Sequence, residues 1–164
     1  MSLFVGIDPG KKGGVVVLAR GSGSELQLID CFRAEADYVL EGEYRAKAMR
    51  EILHKHSVDA LVALERQQPM PKEGVRSVFS IGRGFGLWEG LVHGLGLPLY
   101  VVRPREWQVV LHGLPGEGKA RAILAVEQRL PQLELLPGKL RKPHEGLADA
   151  ACIAMWLARQ GGSP

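Results

Sequence analysis

The stretch Leu3-Phe4-Val5-Gly6-Ile7-Asp8-Pro9-Gly10 decides how this chain is read. An apolar run of strand character ends in the carboxylate of Asp8, and Pro9-Gly10 then supplies the turn chemistry that stops a strand. Gly14 to Arg20 is rich in β-branched residues and bounded by glycine, and Glu25 to Phe32 begins in strict apolar–polar alternation. Gly21-Ser22-Gly23-Ser24 between them reads as a turn. Three antiparallel strands therefore open the domain.

Beyond them the period changes. From Tyr44 to His56 the apolar positions Ala46, Met49, Ile52 and Leu53 fall at helical spacing, and Asp59 to Glu65 is a buried strand that again ends in a carboxylate. Residues 74–95 are helical, Leu97 to Arg103 is a fifth strand, and Glu106 to His112 and Gly118 to Leu130 are shorter helices. A last helix runs from about His144 to Arg159, and the Pro-, Leu- and Lys-rich stretch 131–143 before it is expected to be a mobile loop. Three meandering strands followed by helix-separated strands predict one α/β domain over 1–164, with a five-stranded mixed sheet flanked by helices.

The 164 residues suffice for one good core, and the 46% apolar and 24% charged content is that of a folding chain. Net charge is only +3, but residues 103–142 hold Arg103, Arg105, Lys119, Arg121, Arg129, Lys139, Arg141 and Lys142 against Glu106, Glu117, Glu127 and Glu134. That local excess permits contact with a polyanion. No signal-peptide form and no apolar run of about 20 residues is present, so no membrane partner is expected. Cys31 and Cys152 lack metal-like spacing and read as reduced thiols, which places the chain in the cytoplasm.

Asp8 and Glu65 both stand where an apolar strand gives out, and neighbouring strands would bring them about 4.8 Å apart. The last helix offers His144, Glu145 and Asp149, with the two acids at i and i+4 on one face, followed by the small and apolar run Ala150 to Ala158 that suits close packing on a sheet. Each acid alone is as well explained by a cap or a helix-dipole partner. Three acids, each at the end of a buried element, together suggest an ion site. Oxygen ligands without cysteine or clustered histidine suit Mg2+ or Mn2+, and two such ions can drive hydrolysis of a phosphodiester.

Gly6-Ile7-Asp8-Pro9-Gly10, Leu64-Glu65 with Gln67 and Pro69, and Ala148-Asp149-Ala150 resemble RuvC-type Holliday junction resolvases. The likeness is to the phage-type branch, and continues through Pro104-Arg105-Glu106-Trp107, Gly118-Lys119, Leu130-Pro131 and His144-Glu145. The resemblance implies an RNase H-like fold, a homodimer, two Mg2+ ions per site with Mn2+ able to substitute, and paired nicks across four-way or branched DNA. It implies Asp8, Glu65 and Asp149 as metal ligands, with the fourth position at Glu145 or His144. The commoner family pattern places that residue at i−3 from Asp149, where this chain has Gly146; Glu145 is preferred because a carboxylate binds Mg2+ better than imidazole. His144 is the second candidate, as a ligand or as a proton carrier. Bacterial members often carry an aromatic residue soon after the strand-end Glu; here stand Gln68, Pro69 and Met70.

Lys119 would reach a phosphate beside the metals, and Lys11 and Lys12, directly after the Asp8 turn, would meet the DNA backbone. Arg76, Arg83, Arg141 and Lys142 are further phosphate contacts, whereas Trp107, after a strand and Pro104, reads as a packing anchor in preference to a base-stacking residue. Gly82, Gly86, Gly90 and Gly94 recur every four residues in a helical segment, which predicts close packing on the sheet or on a second subunit, with Phe79, Phe85, Trp88 and Leu91 filling the remainder. Two other functions fit parts of the pattern: an RNase H-like nuclease of structured RNA, as in YqgF-type relatives, and a non-catalytic junction binder. The second loses ground because a chain that only bound DNA would gain affinity by shedding acids that face phosphate. An actin-like ATPase is set aside, since the chain is too short for two such lobes.

Overall fold

The computed structural model describes residues 2–21 and 23–160; Ser22, in the expected Gly21-to-Ser24 turn, lies outside them. Strands β1 (Leu3–Asp8), β2 (Gly14–Arg20) and β3 (Leu26–Arg33) form the expected antiparallel meander. Strands β6 (Ala60–Glu65) and β7 (Leu99–Val102) add to β1 in parallel, giving the order β3-β2-β1-β6-β7. The predicted mixed sheet, three antiparallel strands and then two parallel ones, is present, with β1 at its centre.

Strand alternation divides the core into two layers. Phe4, Val16, Leu18, Ala63 and Val102 face α4 (Lys119–Arg129) and α5 (Glu145–Gln160). Val5, Ile7, Val15, Val17, Val62 and Leu64 face α1 (Ala46–Lys55) and α2 (Val75–Gly94), where Trp88 is fully buried and meets Tyr38 edge to face at 5.2 Å. Helix α5 crosses β1 so closely that a Cβ on Gly6 would collide with the carbonyl of Ala150 and lie 2.5 Å from the nitrogen of Ala154. Only glycine permits that approach.

Several expectations are corrected. A π-helical turn, Ala34–Tyr38, and a hairpin of β4 (Val39–Leu40) and β5 (Glu43–Tyr44) fill the stretch before α1, which starts at Ala46 because Tyr44 belongs to the hairpin. The predicted helix 106–112 is the short α3 (Pro104–Trp107) followed by a 3-10 turn, Gln108–Leu111. Residues 131–143 are anchored: Leu133 and Leu135 are buried in the core, and the Leu135 carbonyl accepts from the backbone N–H of His144. The glycine stripe does not pack on the sheet. A Cβ at Gly82, Gly86, Gly90 or Gly94 would meet nothing within 4 Å, and Phe79 is 72% exposed, while Trp88 is buried and Phe85 and Leu91 are partly so.

Candidate active site

The parallel pairing of Ile7 with Leu64 carries Asp8 and Glu65 off the same edge of the sheet at the next step of each strand. Asp149, in the second turn of α5, joins them because Gly6 and the small residues of α5 let that helix lie on β1. Gly146, three residues before Asp149, is pressed on the neighbouring loop: a Cβ there would clash with the Lys12 carbonyl and come within 2.7 Å of the Gly13 Cα. No side chain fits at that position. Glu145, one residue earlier, is exposed and joined to Lys119 by a 2.6 Å ion pair.

These charges act on one another. Burial, followed by repulsion from Glu65, pushes Asp8 up to about 7. Burial and then the charge of Asp8 push Asp149 to about 7 as well. Glu65 is also raised, chiefly by burial and partly by Asp149, although hydrogen bonds from Trp107 and Gln67 pull the other way. Lys119 is the counter-charge: its hydrogen bond to Glu145, before all else, holds its ammonium charged, and the charges of Asp149 and Asp8 act in the same direction. A cleft of about 280 Å³ opens beside this cluster, with Glu65, Asp149, Lys119, Trp107 and Arg121 among its walls.

His144 is placed differently from either expected role. Its Nδ1 accepts the backbone N–H of Leu147 at 3.0 Å, which caps the start of α5, and its Nε2 lies 2.8 Å from a carboxylate oxygen of Glu35. A ring whose Nδ1 accepts carries its proton on Nε2, so both nitrogens are engaged and neither is free to ligate an ion. Glu35 sits in the π-helical turn that sequence reasoning missed.

The other predicted contacts scatter around the site. Lys11 lies 5.7 Å from the centre of the Tyr44 ring and shares a second cleft with Arg76, Phe79 and Arg83, where Arg83 is paired with Glu43. Lys12, Arg76, Arg141 and Lys142 are exposed. Within the basic stretch, Arg121 and Arg129 spend their guanidinium groups on the carbonyls of Leu111 and Val110, so part of that charge holds α4 in place. Two residues near the site escaped the sequence reading in their present roles. The Tyr44 hydroxyl donates to the Pro9 carbonyl at 3.3 Å and steadies the turn after Asp8, and the Trp107 indole N–H donates to Glu65 at 2.6 Å. The Pro104-Arg105-Glu106-Trp107 string marked Trp107 and the strand end marked Glu65, but nothing local marked their pairing.

Among the described residues no three His, Cys, Asp or Glu side chains meet at ion-binding range; Glu65 is held by Trp107 and Gln67, and Glu145 by Lys119. The donor set nevertheless fits a hard divalent cation. Four carboxylates stand at one end of the sheet, and burial followed by mutual repulsion raises Asp8 and Asp149, a cost of charge that such an ion would relieve. Soft ligands are missing from the cluster: Cys152 is buried, its thiol turned to the Ala122 carbonyl and pushed up to about 12, mainly by burial.

No family model and no curated protein matches the chain. Solved structures do. Thermus thermophilus RuvC is 26% identical and superposes with a TM-score of 0.64 over 97% of this chain and 96% of its own. The same protein in complex with a Holliday junction substrate gives 24% identity and a TM-score of 0.70, covering 98% and 97%. Fowlpox virus resolvase, in a complex with Holliday junction DNA, shares 12% identity at a TM-score of 0.61, covering 98% and 99%. Coverage on both sides is nearly complete, so the likeness spans the whole domain and not a shared sheet alone.

Proposed function

We propose that this chain, of RuvC type, is a structure-specific endonuclease that resolves four-way DNA junctions by paired symmetric nicks. The observation that carries the reading is the convergence of Asp8, Glu65, Asp149 and Glu145 from β1, β6 and α5, with two of them pushed to about 7 by burial and mutual repulsion. The likeness to RuvC and to a poxvirus resolvase, both solved with junction DNA, supports the substrate class.

Asp8, Glu65, Asp149 and Glu145 would hold Mg2+ or Mn2+. Bound there, divalent ions supply an activated water and stabilise the leaving oxygen of a phosphodiester. The chain's own residues do the rest. Lys119, fixed by Glu145 at the rim of the 280 Å³ cleft, sets a positive charge where a phosphate would lie. Lys11 and Lys12 on the Asp8 turn, Arg76 and Arg83 in the first half of α2, and Arg141 and Lys142 before α5 would grip the backbones of the arms. His144 holds the first turn of α5, and through it Glu145 and Asp149, against Glu35. The exposed glycine face of α2 supports a homodimer, because two such faces can approach backbone to backbone and set two equivalent sites on two equivalent strands.

The deciding experiment is cleavage of a synthetic four-way junction, with linear duplex and structured RNA as controls, by the wild type and Asp149→Asn in Mg2+ and in EDTA. Symmetric nicks by the wild type only with metal, and binding without cutting by the variant, are the expected outcome. Binding without cutting under every divalent ion makes the chain a junction-binding protein instead, and a preference for structured RNA moves it to the YqgF-type activity.

A further inference from the structure

Trp107 is only 3% exposed and belongs to the core cluster that also holds Val110, Leu111 and Ala122. Its indole N–H reaches Oε2 of Glu65 at 2.6 Å, across 42 residues of sequence. The support beneath it is stiff. Pro104 opens α3, the Glu106 carboxylate accepts the backbone N–H of Arg103 at 2.7 Å, and the N–H of Glu106 bonds back to the Arg103 carbonyl at 2.9 Å. Gln67 donates to the other oxygen, Oε1, at 3.1 Å, but from an irregular segment only two residues away. Glu65 is thus gripped on both oxygens, one grip rigid and one adaptable.

An indole N–H donates and never accepts, so it holds Oε2 as an acceptor, and the ring's packing sets the direction from which that bond comes. We propose that Trp107 is a positioning residue for Glu65: its N–H fixes the plane of the carboxylate so that the oxygen lone pairs it leaves free face the Asp8–Asp149 cluster in a single orientation. Such partners of metal-binding carboxylates typically set affinity by about 10- to 100-fold. The inference rests on the nuclease reading of the site and goes beyond it, because a packing residue that merely satisfied its own N–H would leave ion binding unchanged.

The test uses Trp107→Phe together with a chain in which 3-benzothienylalanine replaces Trp107 through codon suppression; the latter keeps the shape and puts sulfur where the N–H was. Mn2+ uptake is followed by loss of the free-ion electron paramagnetic resonance signal, beside junction affinity in EDTA and the Mn2+ concentration for half-maximal cleavage. With the isostere, we expect unchanged folding and junction affinity, Mn2+ binding about 10- to 100-fold weaker, an equal rise in the half-maximal concentration, and most of the rate regained at saturating metal. Mn2+ binding by the isostere within twofold of the wild type overturns the role of Trp107 while leaving the nuclease reading intact. A wild type that takes up no Mn2+ overturns both.

Discussion

Carboxylates crowded together are a standing load on the folded chain, and Asp149 carries it plainly. An acid whose folded pKa is raised from 3.8 to about 7 adds stability that is fully present below pH 3.8 and is lost as pH rises through 7. Asp149→Asn removes that loss. At pH 8 in EDTA it should stabilise the fold by on the order of 2–4 kcal/mol and raise the melting temperature by about 5–10 °C, while abolishing cleavage. At pH 3.5 the two proteins should melt together, and Mn2+ at pH 8 should raise the wild type and not the variant; calorimetry at both pH values checks all three. His144 makes the opposite case at the same scale. His144→Ala deletes a helix cap and a bond to Glu35, so it should cost about 1–2 kcal/mol. His144→Asn, which restores an acceptor for the Leu147 N–H, should recover most of that and most of the cleavage rate. A stable His144→Asn protein without activity would return the imidazole to the chemistry.

At the scale of elements, the site depends on how near α5 comes to β1 and to the loop after Asp8. Gly146→Ala should lower stability by about 3 kcal/mol and cut activity further than that loss alone explains, since the new methyl pushes α5, and Asp149 with it, off Lys12 and Gly13. Urea unfolding and junction cleavage measured side by side would show it. The elements that position the site were largely legible because their signals are local: the apolar runs ending at Asp8 and Glu65, and the small-residue run after Asp149, announce strand ends and a close-packed helix. What stayed hidden depends on distant partners. The π-helical turn at 34–38 closes on a local bond from the Arg33 N–H to Asp37, but Tyr38 packs edge to face on Trp88, fifty positions on. The bond from Trp107 to Glu65 and that from His144 to Glu35 likewise join remote segments. Leu133 and Leu135 sit in a Pro-rich context that imitates a free loop, and their burial is decided by the core beneath them.

For the whole molecule, the proposed function requires two equivalent sites on one symmetric substrate. The exposed stripe of Gly82, Gly86 and Gly90 on α2 has no partner within the described residues: a Cβ added there meets nothing among them within 4 Å. Gly86→Glu should therefore fold as well as the wild type, or slightly better from the gain in helix propensity, and sediment as a monomer if two α2 faces join the subunits. Such a monomer should nick junctions singly and lose the symmetric pair. A Gly86→Glu protein that still sediments as a dimer places the subunit contact elsewhere.

The dependence of the cluster on α5 also has a consequence in time. Asp8 and Glu65 belong to the first half of the polypeptide, while Asp149 and Glu145 arrive with the final helix, and until that helix docks the face bearing Phe4, Val16 and Leu18 is uncovered. A chain in which α5 has not yet docked is consequently sticky and, on the proposed function, harmless: it displays the greasy surface that quality control recognises, yet it lacks Glu145 and Asp149, two of the four acids proposed to act on a DNA strand.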